Sequence, residues 1–317
     1  AGRHGEAEPL LRSALKGRDK VLGRNHPDTL QSVSNLGALL QETGQLLEAE
    51  PLFRRALEGS EVTWGLTHAH TMTAMDNLAL LMQAMGNHAE AEPLMRRCVE
   101  GREETLGPTH ADTLHALNNL AMLMHAMGKY DDAEPLLWRA RGGRQATLGP
   151  EHPDTLTSLD NLAVLLQAMG KHSEAEKQSQ KALMGREVAL GSTHSSTLIS
   201  LNNLAQVLRA TQKYQEAEPL CRRAVDGMRA TLGRTHPDTL AALGSLATLL
   251  QAMGKKQEAE ELCRTSLEEM ETSLGPVHPS TLLALTTLAE VLQQVGQYQE
   301  AEELLRRAAS GCEASLG

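Results

Sequence analysis

The chain has 317 residues with a net charge of −10; hydrophobic residues make up 41 % of it and aromatic residues only 2 %. With so few rings, a packed interior has to be built mainly from Leu, Ala, Val and Met. The acidic balance opposes binding to nucleic acid through its phosphates, and the aromatic residues are too few for a base-stacking platform. We therefore expect no nucleic-acid partner.

Neither a membrane segment nor a signal peptide is predicted. No run of about 20 apolar residues is present, and no basic segment followed by an apolar one opens the sequence. The four cysteines lie far apart, at Cys98, Cys221, Cys263 and Cys312. Such spacing is typical of reduced thiols and favours a cytoplasmic protein.

A histidine recurs every 42 residues, at His26, His68, His110, His152, His194, His236 and His278. Each stands in a phrase close to L-G-P-x-H-P-D-T-L, as in the segment from Leu148 to Leu156. A fixed period of this length is the signature of a repeat architecture. The sequence predicts a single array over 1–317, with a half repeat at 1–23 and full repeats at 24–65, 66–107, 108–149, 150–191, 192–233, 234–275 and 276–317.

Each repeat has the periodicity of two helices. In the fourth, apolar residues from Leu156 to Met169 recur at a helical period, after a proline that suits a first helical turn. Gly170 is predicted to end this helix in a left-handed conformation, and a second helix is predicted from about His172 to about Leu190. Prolines are expected near the first turn of several second helices, where a missing N–H costs least, at Pro51, Pro93, Pro135 and Pro219.

Small residues recur where the two helices of a repeat have to approach closely. The first helix carries Gly37 or an alanine at the matching position of every later repeat, and the second carries the series that includes Ala49 and Ala91. This pattern resembles the tetratricopeptide repeat, which implies an all-α, right-handed solenoid of stacked helix–turn–helix units. With its 42-residue repeats, the array resembles those of kinesin light chains and of nephrocystin-type proteins.

The resemblance implies a non-catalytic scaffold or adaptor that binds peptide segments of partner proteins, motor or cargo proteins among them, in a concave groove. Two other hypotheses stay open. The array could regulate an enzymatic domain, or serve it as a sensor, elsewhere in a longer protein, and the open ends of the stack could associate with each other.

The sequence offers no catalytic, cofactor or metal site. Equivalent histidines of stacked repeats would lie about 8–10 Å apart, too far to share a metal ion, so we interpret them as residues that open the first helix. The glycines are interpreted as single helix stops, because no phosphate-binding loop is present. Cys221 and Cys263, which hold the same position of the second helix in successive repeats, are interpreted as small core residues.

The candidate binding residues lie on the first helices. An asparagine precedes the recurrent leucine in five repeats: Asn35, Asn77, Asn119, Asn161 and Asn203. An asparagine both donates and accepts, so a row of them suits recognition of a peptide backbone; hydrogen bonds between helices of the array are the alternative.

Neighbouring positions would supply selectivity. In the third repeat they are His115, Asn118, Met122 and His125, and in the fifth they include Arg209, the only cation among the mapped groove positions. The resemblance implies basic grooves where a kinesin light chain accepts acidic peptides. This chain departs from that pattern, so acidic cargo is not predicted.

Overall fold

The computed structural model describes residues 4–316, and within that range all regular structure is helical, in fifteen helices. Helices of two kinds alternate along the chain. We call the first helix of each repeat an A helix and the second a B helix; the half repeat at the start supplies a B helix.

The A helices are α2 (Pro27–Glu42), α4 (Ala69–Ala84), α6 (Ala111–Ala126), α8 (Pro153–Ala168), α10 (Ser195–Ala210), α12 (Pro237–Ala252) and α14 (Pro279–Val295). The B helices are α1 (His4–Leu22), α3 (Leu46–Trp64), α5 (His88–Leu106), α7 (Tyr130–Leu148), α9 (His172–Leu190), α11 (Tyr214–Thr231), α13 (Lys256–Leu274) and α15 (Tyr298–Leu316). The predicted helix hairpin is confirmed in every repeat.

The chain divides into two compact units, Ala1–Gly149 and Pro150–Gly317. The division falls at a predicted repeat boundary, between the third and fourth full repeats. Within each unit an A helix packs against the B helix that follows it, and against the B helix that precedes it wherever both belong to that unit. That residues 1–317 form a single array stays a prediction.

The recurrent histidine is the N-cap of every A helix. Its Nδ1 accepts a hydrogen bond from the backbone N–H two residues further on, at 3.1–3.2 Å, as from Asp112 to His110. In at least five repeats the threonine of the same phrase donates its hydroxyl to the glycine carbonyl that ends the preceding B helix, as from Thr113 to Gly107 at 2.8 Å, whereas the hydroxyl of Thr29 has no partner in the described part of the chain. The phrase therefore joins one repeat to the next through local hydrogen bonds.

Replacing His110 by alanine is expected to lower the free energy of unfolding by about 0.5–2 kcal/mol, because the cap acceptor is lost. Urea unfolding followed by circular dichroism measures the change. His110→Asn keeps a side-chain acceptor at the cap and should retain most of the stability. Equal losses in both variants would contradict the capping role.

The interpretation of the glycines as helix stops holds only for part of them. Gly170 has a φ of 74° and follows the C-cap of α8, as predicted. Nine others lie inside B helices, and six of these stand against a leucine or methionine side chain of an A helix: Gly59, Gly101, Gly143, Gly185, Gly227 and Gly311. A Cβ at Gly143 would lie 2.5 Å from Cδ2 of Leu114, so these glycines admit an apolar side chain of the paired A helix.

The prolines lie near the first turn, as predicted, but just beyond the residues whose N–H groups are free. Pro51 is the sixth residue of α3, and Pro93, Pro135 and Pro219 stand at the matching positions of α5, α7 and α11. At this depth a proline removes an intrahelical hydrogen bond, which it would not do in the first turn.

Residues 171–213 should exchange their amide hydrogens fastest among the interior repeats. Lys177 replaces the usual proline, Ser195 and Ser196 replace the Pro-Asp that opens an A helix, and Ser179 is fully buried with an unpaired hydroxyl. Gln212, which replaces a glycine, has a φ of 62°. Such losses act locally in a stack of repeats. Hydrogen exchange with mass spectrometry tests this, and uniform protection from the second repeat to the sixth would contradict it.

Candidate functional site

The candidate binding residues lie along the A helices, on the side that the B helices leave open; we call this side the A face. Asn35 and His115 are exposed, and the partly exposed residues are Asn77, Asn119, Asn161, Asn203, Met122, His125 and Arg209. These side chains are therefore accessible on the A face. That they bind a peptide stays a prediction.

Asn118 is an exception, because only 7 % of it is exposed. The matching residues Asp76, Asp160 and Asn202 are buried as well. In these repeats the position faces the B helix of the same repeat, so these buried side chains cannot contact a partner on the A face. The prediction that Asn118 lines the groove is corrected accordingly.

The asparagine row makes more than one kind of contact. Asn35 accepts from Gln31 at 2.8 Å, and the amide of Asn119 lies 3.1 Å from Nε2 of His115, one turn earlier on the same helix. Asn203 interacts with the carboxylate of Asp160 on the preceding A helix. Asn77 makes no side-chain hydrogen bond within the described residues. Both predicted roles, contact between helices and an open hydrogen-bonding surface, are therefore represented.

Two repeats contain a buried ion pair beneath the A face. Arg102 of α5 lies 2.6 Å from Asp76, and Arg186 of α9 lies 2.5 Å from Asp160. Arg186 also donates to the hydroxyl of Ser200 and to the backbone carbonyl of Ser196. These pairs fill the space between two successive A helices and the B helix that separates them in sequence.

Burial dominates the electrostatics of the second pair. It raises the pKa of Asp160, although Arg186, Ser200 and Asn203 all act to lower it. One carboxylate oxygen of Asp160 has no hydrogen-bond partner. The cost of removing this charge from water is therefore only partly offset by its partners.

In the first full repeat the site of this ion pair is occupied by smaller side chains. Ser34 stands where Asp76 stands in the second repeat, and Ser60 stands where Arg102 stands. A cleft of about 310 Å³ lies there between α2, α3 and α4. Asn35 and Asn77 line the cleft, so it opens onto the A face.

An aromatic cluster borders this cleft. Trp64, the last residue of α3, stacks on His68 with ring centroids 5.6 Å apart, and its ring lies 4.8 Å from that of His70. Trp64 and His70 both line the cleft. Trp64 is not among the predicted site residues, although it stands out in the sequence because leucine occupies the matching position in the other repeats.

The buried cysteines behave as core residues. Burial raises the pKa of Cys221 to about 11 and that of Cys263 to about 12, and it also raises the pKa of Cys98. A thiol that stays protonated at neutral pH is a poor nucleophile. The interpretation of Cys221 and Cys263 as small core residues is confirmed by their burial.

Within the described residues, no cluster of three or more His, Cys, Asp or Glu side chains could hold a metal ion. The same part of the chain contains no helix with both the length and the apolar character that crossing a membrane requires.

Comparison with known proteins agrees with this architecture. The tetratricopeptide repeat profile matches residues 1–61, 70–145, 135–187, 196–268 and 242–314. A search of curated protein sequences gives no match.

Among solved structures, the nearly identical TPR-like repeats of a Podosopora anserina protein named as a kinesin light chain share 33 % identity. The TM-score is 0.56, and the match covers 65 % of this chain and 98 % of that chain. The predicted solenoid of helix–turn–helix repeats is confirmed by these matches.

Two more distant structures share the fold alone. BtubC (BKLC) from P. vanneervenii is 21 % identical, with a TM-score of 0.62 over 75 % of this chain and 95 % of that chain. The apo form of the quorum sensor NprR from B. thuringiensis is 16 % identical, with a TM-score of 0.67 over 97 % of this chain and 83 % of that chain.

Proposed function

Because this chain belongs to the tetratricopeptide repeat family, we propose that it is a non-catalytic scaffold that binds segments of partner proteins on its A face. The observation that carries the proposal is the open polar surface around Asn35 and Asn77. Asn77 is partly exposed, makes no side-chain hydrogen bond within the described residues and lines a cleft. An amide in this state has donors and an acceptor to offer to a peptide backbone.

The B helices offer less to a partner, because their charges are largely paired with each other. Arg54 lies 2.8 Å from Glu90, and Arg264 lies 2.7 Å from Glu300, in each case between successive B helices. Lys213, at the N-terminus of α11, likewise pairs with Glu176 of α9 at 2.8 Å. Binding a partner there would require breaking such pairs, whereas the A face has few charged groups to separate.

Likeness to the Podosopora anserina repeats also supports the proposal, since that protein bears the name of a kinesin light chain. We therefore expect partners to be proteins, bound through short segments. The charge balance of −10 makes acidic segments unfavourable ligands.

Capture of partner proteins by the immobilised chain, analysed by mass spectrometry, tests the proposal. Proteins that the wild type captures should be lost with the variant N35A/N77A/N119A. The control variant is Q145A/Q215A, which truncates two exposed glutamines of B helices. Captured proteins that persist in the first variant, or that are lost equally in both, would overturn binding on the A face.

A further inference from the structure

We propose that the cleft of the first full repeat is a socket for an arginine side chain of the bound partner segment. This inference rests on the proposed function, because it assigns a chemical class of residue to one place on the A face. The cleft lies within the first compact unit, and every residue that lines it lies between Pro27 and Asn77.

The first step is the comparison between repeats of one chain. In the second repeat, Asp76, Arg102 and Ala116 occupy the three positions where Ser34, Ser60 and Ala74 stand in the first. The third member is alanine in both repeats, so the difference lies in the two serines. They replace a carboxylate and a guanidinium, and the space of that ion pair is left open as the cleft.

A second cavity supports the inference that open space remains where the Asp–Arg ion pair is absent. In the sixth repeat Gly244 replaces the carboxylate, and Met270 replaces the arginine. A much smaller cavity of about 20 Å³, lined by Gly244, Cys263 and Thr287 among others, lies beside that position.

The second step concerns the hydrogen-bonding groups that line the cleft of the first repeat. Ser60 is 97 % buried, lines the cleft and makes no side-chain hydrogen bond within the described residues. Its hydroxyl can therefore accept a hydrogen bond from a group that enters. The backbone carbonyl of His70 corresponds to that of Asp112, which accepts a hydrogen bond from Arg102 at 3.2 Å in the second repeat.

The third step is the sign of the charge. Asp28 is the only Asp, Glu, Lys or Arg among the residues that line the cleft. The ring of Trp64 lines it as well, and an aromatic ring attracts a guanidinium through its π-face. A carboxylate, neutral acceptors and an indole together favour a planar cation over an anion.

Trp64 also provides the measurement. In a W138F background it is the only tryptophan of the chain, so its fluorescence reports on the cleft. The probes are the peptide acetyl-Gly-Ser-Arg-Ser-Gly-amide and the same peptide with citrulline, which keeps the shape of arginine but not its charge. The arginine peptide should change the fluorescence saturably. The citrulline peptide should bind about tenfold more weakly, because it lacks charge-assisted hydrogen bonds.

Two variants complete the test. S34D/S60R rebuilds the arrangement of Asp76 and Arg102 inside the cleft, and it should abolish the fluorescence change while circular dichroism shows an intact fold. D28N removes only the carboxylate and should weaken the arginine peptide about fivefold or more, which keeps the test decisive if the first variant does not fold.

Equal binding of the two peptides, unchanged binding by S34D/S60R or D28N, or no saturable change up to about 10 mM peptide would overturn the socket. Failure of the socket is distinguishable from failure of the proposed function. If the arginine peptide does not bind but the variant N35A/N77A/N119A still loses the partner proteins that the wild type captures, binding on the A face stands without the socket.

Discussion

Replacing Asp160 by alanine is expected to lower the free energy of unfolding by about 3–5 kcal/mol, because Arg186 would remain buried without its carboxylate partner. The side chains of Asp160 and Arg186 are 6 % and 7 % exposed, so solvent screens their charges poorly. Denaturant unfolding measures the loss. Asp76→Ala, which breaks the equivalent pair with Arg102, should lose a similar amount.

The chain itself provides a matched control without the pair. In the fifth repeat, Asn202, Met228 and Ala242 occupy the positions of Asp160, Arg186 and Ser200. The triple variant D160N/R186M/S200A therefore installs an arrangement that this fold already contains. We expect it to be neutral or to stabilise the protein by about 1–4 kcal/mol, because both charges are removed together. A loss as large as that of the single variant would contradict this account.

The pH dependence of the triple variant follows from the raised pKa of Asp160. A carboxyl group whose pKa is higher in the folded state favours folding at low pH, and this contribution is lost as the pH rises through the folded-state pKa. The advantage of the triple variant over the wild type should therefore be largest at neutral pH. It should shrink as the pH is lowered through the pKa of Asp160, as measured by unfolding at a series of pH values.

The helices and their caps could be predicted from the sequence because their signals are local. The histidine of each linker, and the proline that follows it in four of the seven, act on groups only a few residues away, and the 42-residue period repeats the signal seven times. Asn118 shows where this reasoning fails. Helical spacing gives the direction of a side chain, but the neighbouring B helix decides whether that direction is covered.

The buried pairs and the cleft required the folded chain. Arg102 and Asp76 lie 26 residues apart on different helices, so no local period connects them. One signal was present nevertheless: arginine recurs at one B-helix position, including Arg102 and Arg186, where Met228 and Met270 stand in later repeats. The cleft depends on substitutions at two such positions together, which neither position indicates by itself.

Replacing Phe53 by alanine is expected to lower the free energy of unfolding by about 3–5 kcal/mol. Phe53 is 1 % exposed and is the only phenylalanine of the chain. It packs on Gly37 of α2, where an added Cβ would lie 3.0 Å from Cε1 of the ring. The other full repeats have alanine in place of Gly37, so the glycine makes room for the large ring.

A double-mutant cycle tests that coupling. Gly37→Ala alone should cost about 1–3 kcal/mol, because the added methyl group crowds the ring. The double variant G37A/F53L reproduces Ala121 and Leu137 of the third repeat, where both residues are fully buried. It should therefore lose less than the sum of G37A and F53L, by about 0.5–3 kcal/mol in denaturant unfolding. Additive losses would show that the ring and the glycine do not depend on each other.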